Sequence, residues 1–132
     1  MSKTLIKRDI AEAIDEAEKL ATPDKIKPLV VAFLVWGITV IDSFEGSSVI
    51  HPYHPWIDTD LKFWNILIEL LALDWCHEEE LERKNQSGFV IMPFKNFLRV
   101  IPAWKNPSLF ATQLSAMKFG KFLQDLPENY FE

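Results

Sequence analysis

Two imidazoles and four carboxylates fall within one short stretch of this chain. His51 and His54, with Asp42, Glu45, Asp58 and Asp60 as oxygen donors, make a candidate divalent-metal set, with His51 and His54 as its nitrogen ligands. Two imidazoles and a carboxylate would leave an open coordination position for water or substrate. The H-x-x-H spacing lies in a proline-rich segment rather than on a helix, so the backbone does not force both rings to one side as H-E-x-x-H does. Without a metal, Asp42 and Glu45 at the end of a strand would form a carboxylate pair, tuned by burial for acid–base work. Glu45-Gly46-Ser47-Ser48 offers turn N–H groups to an anion, but the nucleotide-binding patterns G-x-x-x-x-G-K-[ST] and G-x-G-x-x-G are missing. The candidate site is therefore Asp42, Glu45, Ser47, His51, His54 and Asp58. Its bland counterpart is loop histidines in solvent and aspartates that cap a helix.

Cys76-His77 is excluded as a thiol–imidazole pair. Neighbouring residues on a helix point about 100° apart. Cys76, the sole cysteine, reads as a small core or boundary residue, and with no second cysteine no intrachain disulfide forms.

The site needs elements to position it. Residues 5–21 place Ile6, Ile10, Ile14 and Ala17 at helical spacing opposite Asp, Glu and Lys, which predicts an amphipathic helix ended at Thr22-Pro23. A second, wholly apolar helix should open near residues 25–27, tolerate Pro28 in its first turn, and stop at Gly37 as a left-handed terminator. Residues 38–43 are β-branched and apolar, which predicts a central strand; residues 56–59 are a short second one. Asp58, Thr59 and Asp60 are cap candidates for a helix opening at Leu61. With only Lys62, Asn65 and Glu69 polar along its first turns, that helix is expected to be the most buried, with Trp64, Leu67, Leu71 and Trp75 in the core. Glu79 with Arg83 and Glu80 with Lys84 would support its extension. Residues 89–92 and 97–101 read as a hairpin around residues 93–96, with Pro93 at its edge or turn. Asn106-Pro107 opens a last helix that stops before Pro127.

The expectation is one α+β domain over residues 1–132, in the order α-α-β-β-α-β-β-α, with a small, mostly antiparallel sheet and helices packed on it. The helix and strand that begin at Leu29 deliver the 42–60 region to one rim.

Residues 26–34, Gly37-Ile38-Thr39, Ser43-Phe44-Glu45-Gly46-Ser47 and Pro55-Trp56-Ile57 resemble small uncharacterised bacterial proteins. Those carry a helix, a G-I-x-T strand, an S-C-x-G-H turn and a P-[WY]-[IV] segment. The resemblance spans residues 26–60 and implies a shared fold there. Phe44 stands where the turn's cysteine would be and Ser47 where its histidine would be, so thiol or imidazole chemistry does not carry over.

Composition narrows the function classes. At 132 residues, 48% hydrophobic and 13% aromatic, the chain can close one dense core. A net charge of −5 with no basic cluster argues against a duplex nucleic-acid surface. The apolar run at residues 29–41 is too short to span a bilayer, and the charged first residues lack a signal peptide's apolar core. These features describe a cytoplasmic protein with no resident cofactor. The leading reading is a non-catalytic binding or interaction protein whose apolar surface takes a protein partner or a second copy, with a small-molecule ligand also permitted. The rival is a metal- or carboxylate-dependent enzyme working in the 42–60 loop.

Overall fold

The computed structural model describes residues 5–47, 54–77, 88–103 and 109–131. Its elements are α1 (Ile10–Lys19), α2 (Lys27–Val35), β1 (Val40–Phe44), β2 (Trp56–Thr59), a 3-10 turn (Leu61–Phe63), α3 (Trp64–His77), β3 (Phe89–Pro93), β4 (Leu98–Pro102) and α4 (Leu109–Asp125). The order is the expected one, and the four strands form one antiparallel sheet in the spatial order β1-β2-β4-β3.

The second helix organises the molecule. Every residue from Leu29 to Trp36 is buried, because α1 and α4 both lie against α2 and β1 follows it. A helix apolar all round is stable only when covered all round. Its end is built as the sequence implies. Gly37 at φ 84° lets Ile38 N–H reach Phe33 O (2.9 Å) and Gly37 N–H reach Leu34 O (3.0 Å), the paired bonds of a Schellman motif. Arg8 adds two bonds there, donating its backbone N–H to Val35 O (2.7 Å) and its Nη1 to Leu34 O (3.1 Å), which thus accepts twice. Helix α4 fastens the other side. Gln124 Nε2 donates to Pro28 O (2.7 Å), Trp36 Nε1 donates to Leu123 O (2.8 Å), and Gly120 abuts the Pro28–Leu29 backbone.

Three expectations are corrected. The first helix begins at Ile10, capped by Asp9, because Arg8 is drawn to the end of α2 instead; Ile6 is 79% exposed and the buried face is Ala13 and Ala17. The strand β1 is an edge strand, not a central one, since β4 inserts between β2 and β3. The helix after β2 is not the most buried. Leu67, Leu70 and Leu71 are buried, but Trp64 and Ile68 are 41% and 45% exposed. The side chains of Trp75, Cys76 and His77 lie outside the described residues, as do the expected extension to Lys84 and the Asn106-Pro107 opening.

One face of the sheet is committed to the core. Side chains alternate across a strand, so Val40, Ile57, Leu98, Val100 and Phe89 join the buried residues of all four helices in one cluster. Asp42, Phe44, Trp56, Asp58, Arg99, Val90 and Met92 occupy the opposite face.

Candidate functional site

On that opposite face, pairing register places Asp42, Asp58, Arg99 and Met92 in one row across β1, β2, β4 and β3. Two aspartates directly opposite one another repel. The next residue in the row resolves the conflict. Arg99 Nε donates to Asp58 Oδ1 at 2.7 Å and its Nη2 donates to Oδ2 at 3.0 Å, a two-pronged charge-assisted contact. The guanidinium carbon lies 4.0 Å from the Trp56 ring centroid, with Phe94 at 5.2 Å and Phe97 at 5.5 Å. Phe94 and Phe97 stack at 4.7 Å, and Phe44 flanks Trp56 at 5.7 Å. Arg99 thus sits in an aromatic box, each ring contact contributing roughly 0.5–2 kcal/mol, and Asp58 is buried at 6% exposure.

The hydrogen bond to Asp58 raises the Arg99 pKa above its ordinary value; burial opposes this, and the charges of Asp58 and Asp42 reinforce it. A guanidinium held this way keeps its proton throughout the physiological range. Both oxygens of Asp58 are occupied. The pair therefore fixes the sheet's open face and is poorly placed to transfer protons.

The remaining candidates divide. Asp42 is exposed, and its Oδ1 accepts from Ser43 N–H at 2.9 Å. Glu45 turns toward the helices: its Oε2 accepts from Lys25 N–H (3.2 Å) and its carbonyl from Gln113 Nε2 (2.7 Å). Ser47 is half-buried and engaged. Asp60 caps the 3-10 turn through Lys62 N–H (2.9 Å). His54 Nδ1 is buried without a hydrogen-bond partner among the described residues, and His51 lies outside them. Among the described residues, no group of three His, Cys, Asp or Glu could hold a metal ion.

Arg99 was missed from the sequence, although a lone charge between Leu98 and Val100 in an apolar strand was a signal that it has a partner. The apolar flank of α3 and β3 was missed as well. Trp64, Ile68, Leu71, Phe89 and Val90 line an open groove of about 300 Å³ between α3 and the sheet edge. Along it Trp64, Ile68 and Val90 are 38–45% exposed, and Met92, two residues along β3 from Val90, is 43% exposed. Side-chain area of this extent, on the order of 400 Å², is the size of patch that is often functional.

No helix among the described residues is long and apolar enough to cross a membrane. Comparisons of the chain with protein-family models, with curated proteins and with solved structures each gave no match.

Proposed function

We propose that this chain is a non-catalytic cytoplasmic binding protein that works through the apolar flank formed by α3 and β3. The observation that carries the reading is the exposure of Trp64, Ile68 and Val90 along one groove, continued by exposed Met92 two residues along β3 from Val90. Leaving such side chains in water forgoes about 25 cal/mol for each Å² of apolar surface that a partner would cover. The charged row on the open face supports the same reading, because its strongest acid–base pair is fully engaged in holding Trp56 and the hairpin.

A photo-crosslinking side chain placed at Ile68 or Met92 in the full chain, and at Glu12 on α1 as control, tests this. Adducts of one defined mass are expected at positions 68 and 92 and none at 12. The same diffuse set of adducts from all three positions would end the proposal. The enzyme alternative would draw on His54, whose Nδ1 is buried and unpartnered among the described residues. Elemental analysis of the native protein tests it: it requires stoichiometric metal that His54→Ala removes.

A further inference from the structure

The sheet has two edges, and they are protected differently. At β1 the pairing register shifts between Val40 and Asp42, and Asp42 is exposed. A bulge and a charge are the usual guards against pairing with another strand. The edge at β3 has neither. Its sequence, FVIMP, is uncharged, and among the described residues its single guard is Pro93 at the very end.

Backbone geometry fixes what β3 offers. Phe94 N–H bonds to Phe97 O (2.9 Å) and Ala103 N–H to Gly88 O (2.7 Å), so with the observed register residues 88, 90, 92 and 94 turn their peptide groups toward β4. Residues 89, 91 and 93 turn theirs outward. Pro93 has no N–H to give. Ile91, in the middle, presents both an N–H and a C=O at the open edge.

We infer that β3 is a homodimerisation edge, on which two copies pair antiparallel about Ile91 while Trp64 and Ile68 of each α3 pack across the two-fold axis. This rests on the binding reading above and names its partner. Three observations favour a second copy. A two-fold axis at Ile91 makes Ile91 its own hydrogen-bonding partner, exchanging two bonds, and sets Val90 against Met92 of the other copy, an apolar pair on the open face. In such an isologous contact like meets like, and among the described residues that would meet, Trp64, Ile68, Val90, Ile91 and Met92, none is ionisable. A chain of net charge −5 can associate with itself there without bringing like charges together. Finally, roughly 400 Å² of side chain per copy comes to about 800 Å² for the pair and, with the strand backbones added, approaches the ~1,000 Å² that a specific contact needs. The bulge and Asp42 at β1 block head-to-tail β3–β1 stacking, so assembly closes at two.

The test is light scattering on the full chain over a concentration series, with register-specific cross-linking. A mass twice the 15.3 kDa of one chain is expected at roughly 100 µM, dissociating on dilution, as suits an interface at the small end of the range. Ile68→Glu should raise the dissociation constant at least tenfold with an unchanged circular dichroism spectrum. In a Cys76→Ser background, V90C/M92C should oxidise to a covalent dimer, and V90C alone should not. That second readout holds even if Ile68→Glu fails to fold. A chain monomeric to about 1 mM would overturn the inference, as would a dimer that V90C/M92C cannot trap. Heterologous adducts from positions 68 and 92 on a monomeric chain would sink self-pairing and leave the binding reading standing; a monomer with no specific adducts would sink both.

Discussion

Helices α2 and α3 are both predominantly apolar, yet their surroundings differ completely. From Leu29 onward α2 is buried at every position, whereas α3 leaves Trp64 and Ile68 nearly half exposed beside its buried Leu67, Leu70 and Leu71. Hydrophobicity along the chain does not distinguish them. Connectivity does: α2 has α1 and α4 against it and β1 following it, while α3 lies beside the β3 edge with nothing described on its far side. Apolar surface that the fold covers contributes to stability, and apolar surface that it leaves open is where binding is to be sought.

The most direct way to break this contrast is to truncate one residue in each helix. Phe33→Ala removes a wholly buried ring and should cost about 3–5 kcal/mol in urea unfolding. Ile68→Ser, on the uncovered face of α3, should change stability by no more than about 0.5 kcal/mol under conditions where the chain is monomeric. Equal losses at the two positions would mean that α3 is covered after all.

The Asp58–Arg99 pair tests whether the sheet's open face holds itself together without helix cover. Arg99→Met leaves Asp58 buried and unpaired, which should cost about 3 kcal/mol. Adding Asp58→Val should recover most of that, since an apolar pair of similar volume removes the stranded charge. The sign of the pH dependence follows from the raised Arg99 pKa. A group whose pKa rises on folding contributes its full stabilisation below its unfolded pKa and loses it only as pH climbs through the folded value. For arginine that window lies in strong alkali. The gap between wild type and Arg99→Met should therefore be flat between about pH 6 and 9, read from denaturant midpoints at each pH.

The covering of α2 has its own weak point. A Cβ on Gly120 would sit 2.5 Å from both Pro28 O and Leu29 N, and neither backbone atom can yield without moving the helix. Gly120→Ala should cost about 1–3 kcal/mol as overpacking, against the usual gain from replacing a mid-helix glycine. A gain would show that α2 and α4 approach less closely than these distances state.

These contrasts also mark what could be read from the chain alone. Element order was legible because each boundary carries local chemistry: Gly37 to end α2, Asp60 to open the 3-10 turn, Pro93 at the hairpin edge. Strand order was not, because β4 enters between β2 and β3 through pairings some forty residues apart in sequence, such as Asp58 with Arg99. The same distance hid the task of Asp58, which reads locally as a helix cap. Glu45 looked like half of a carboxylate pair with Asp42, but its neighbours are Lys25 and Gln113, and no spacing rule would have joined them. Residues 5–8 fit the helical period as well as residues 10–19 do. They stay outside the helix while Arg8 reaches the end of α2, a demand visible only once α2 is in place.

A smaller stability gain separates the central helix from a peripheral one by how each ends. Helix α1 closes with the same pair of bonds as α2: Thr22 N–H to Ala17 O (3.2 Å) and Ala21 N–H to Glu18 O (3.0 Å). The residue in the left-handed position is Ala21, at φ 54°, where α2 uses Gly37. A Cβ there crowds the following carbonyl. Glycine relieves the crowding but enlarges the unfolded ensemble, so the two effects partly cancel. Ala21→Gly should therefore stabilise the protein by about 0.5–1 kcal/mol, roughly 2–4 °C in thermal midpoint. Ala21 is exposed and lies away from the α3–β3 flank, so self-association should not change with it. Destabilisation by Ala21→Gly would mean that the end of α1 is strained less than its backbone angle implies, and that peripheral and central helices are terminated equally well.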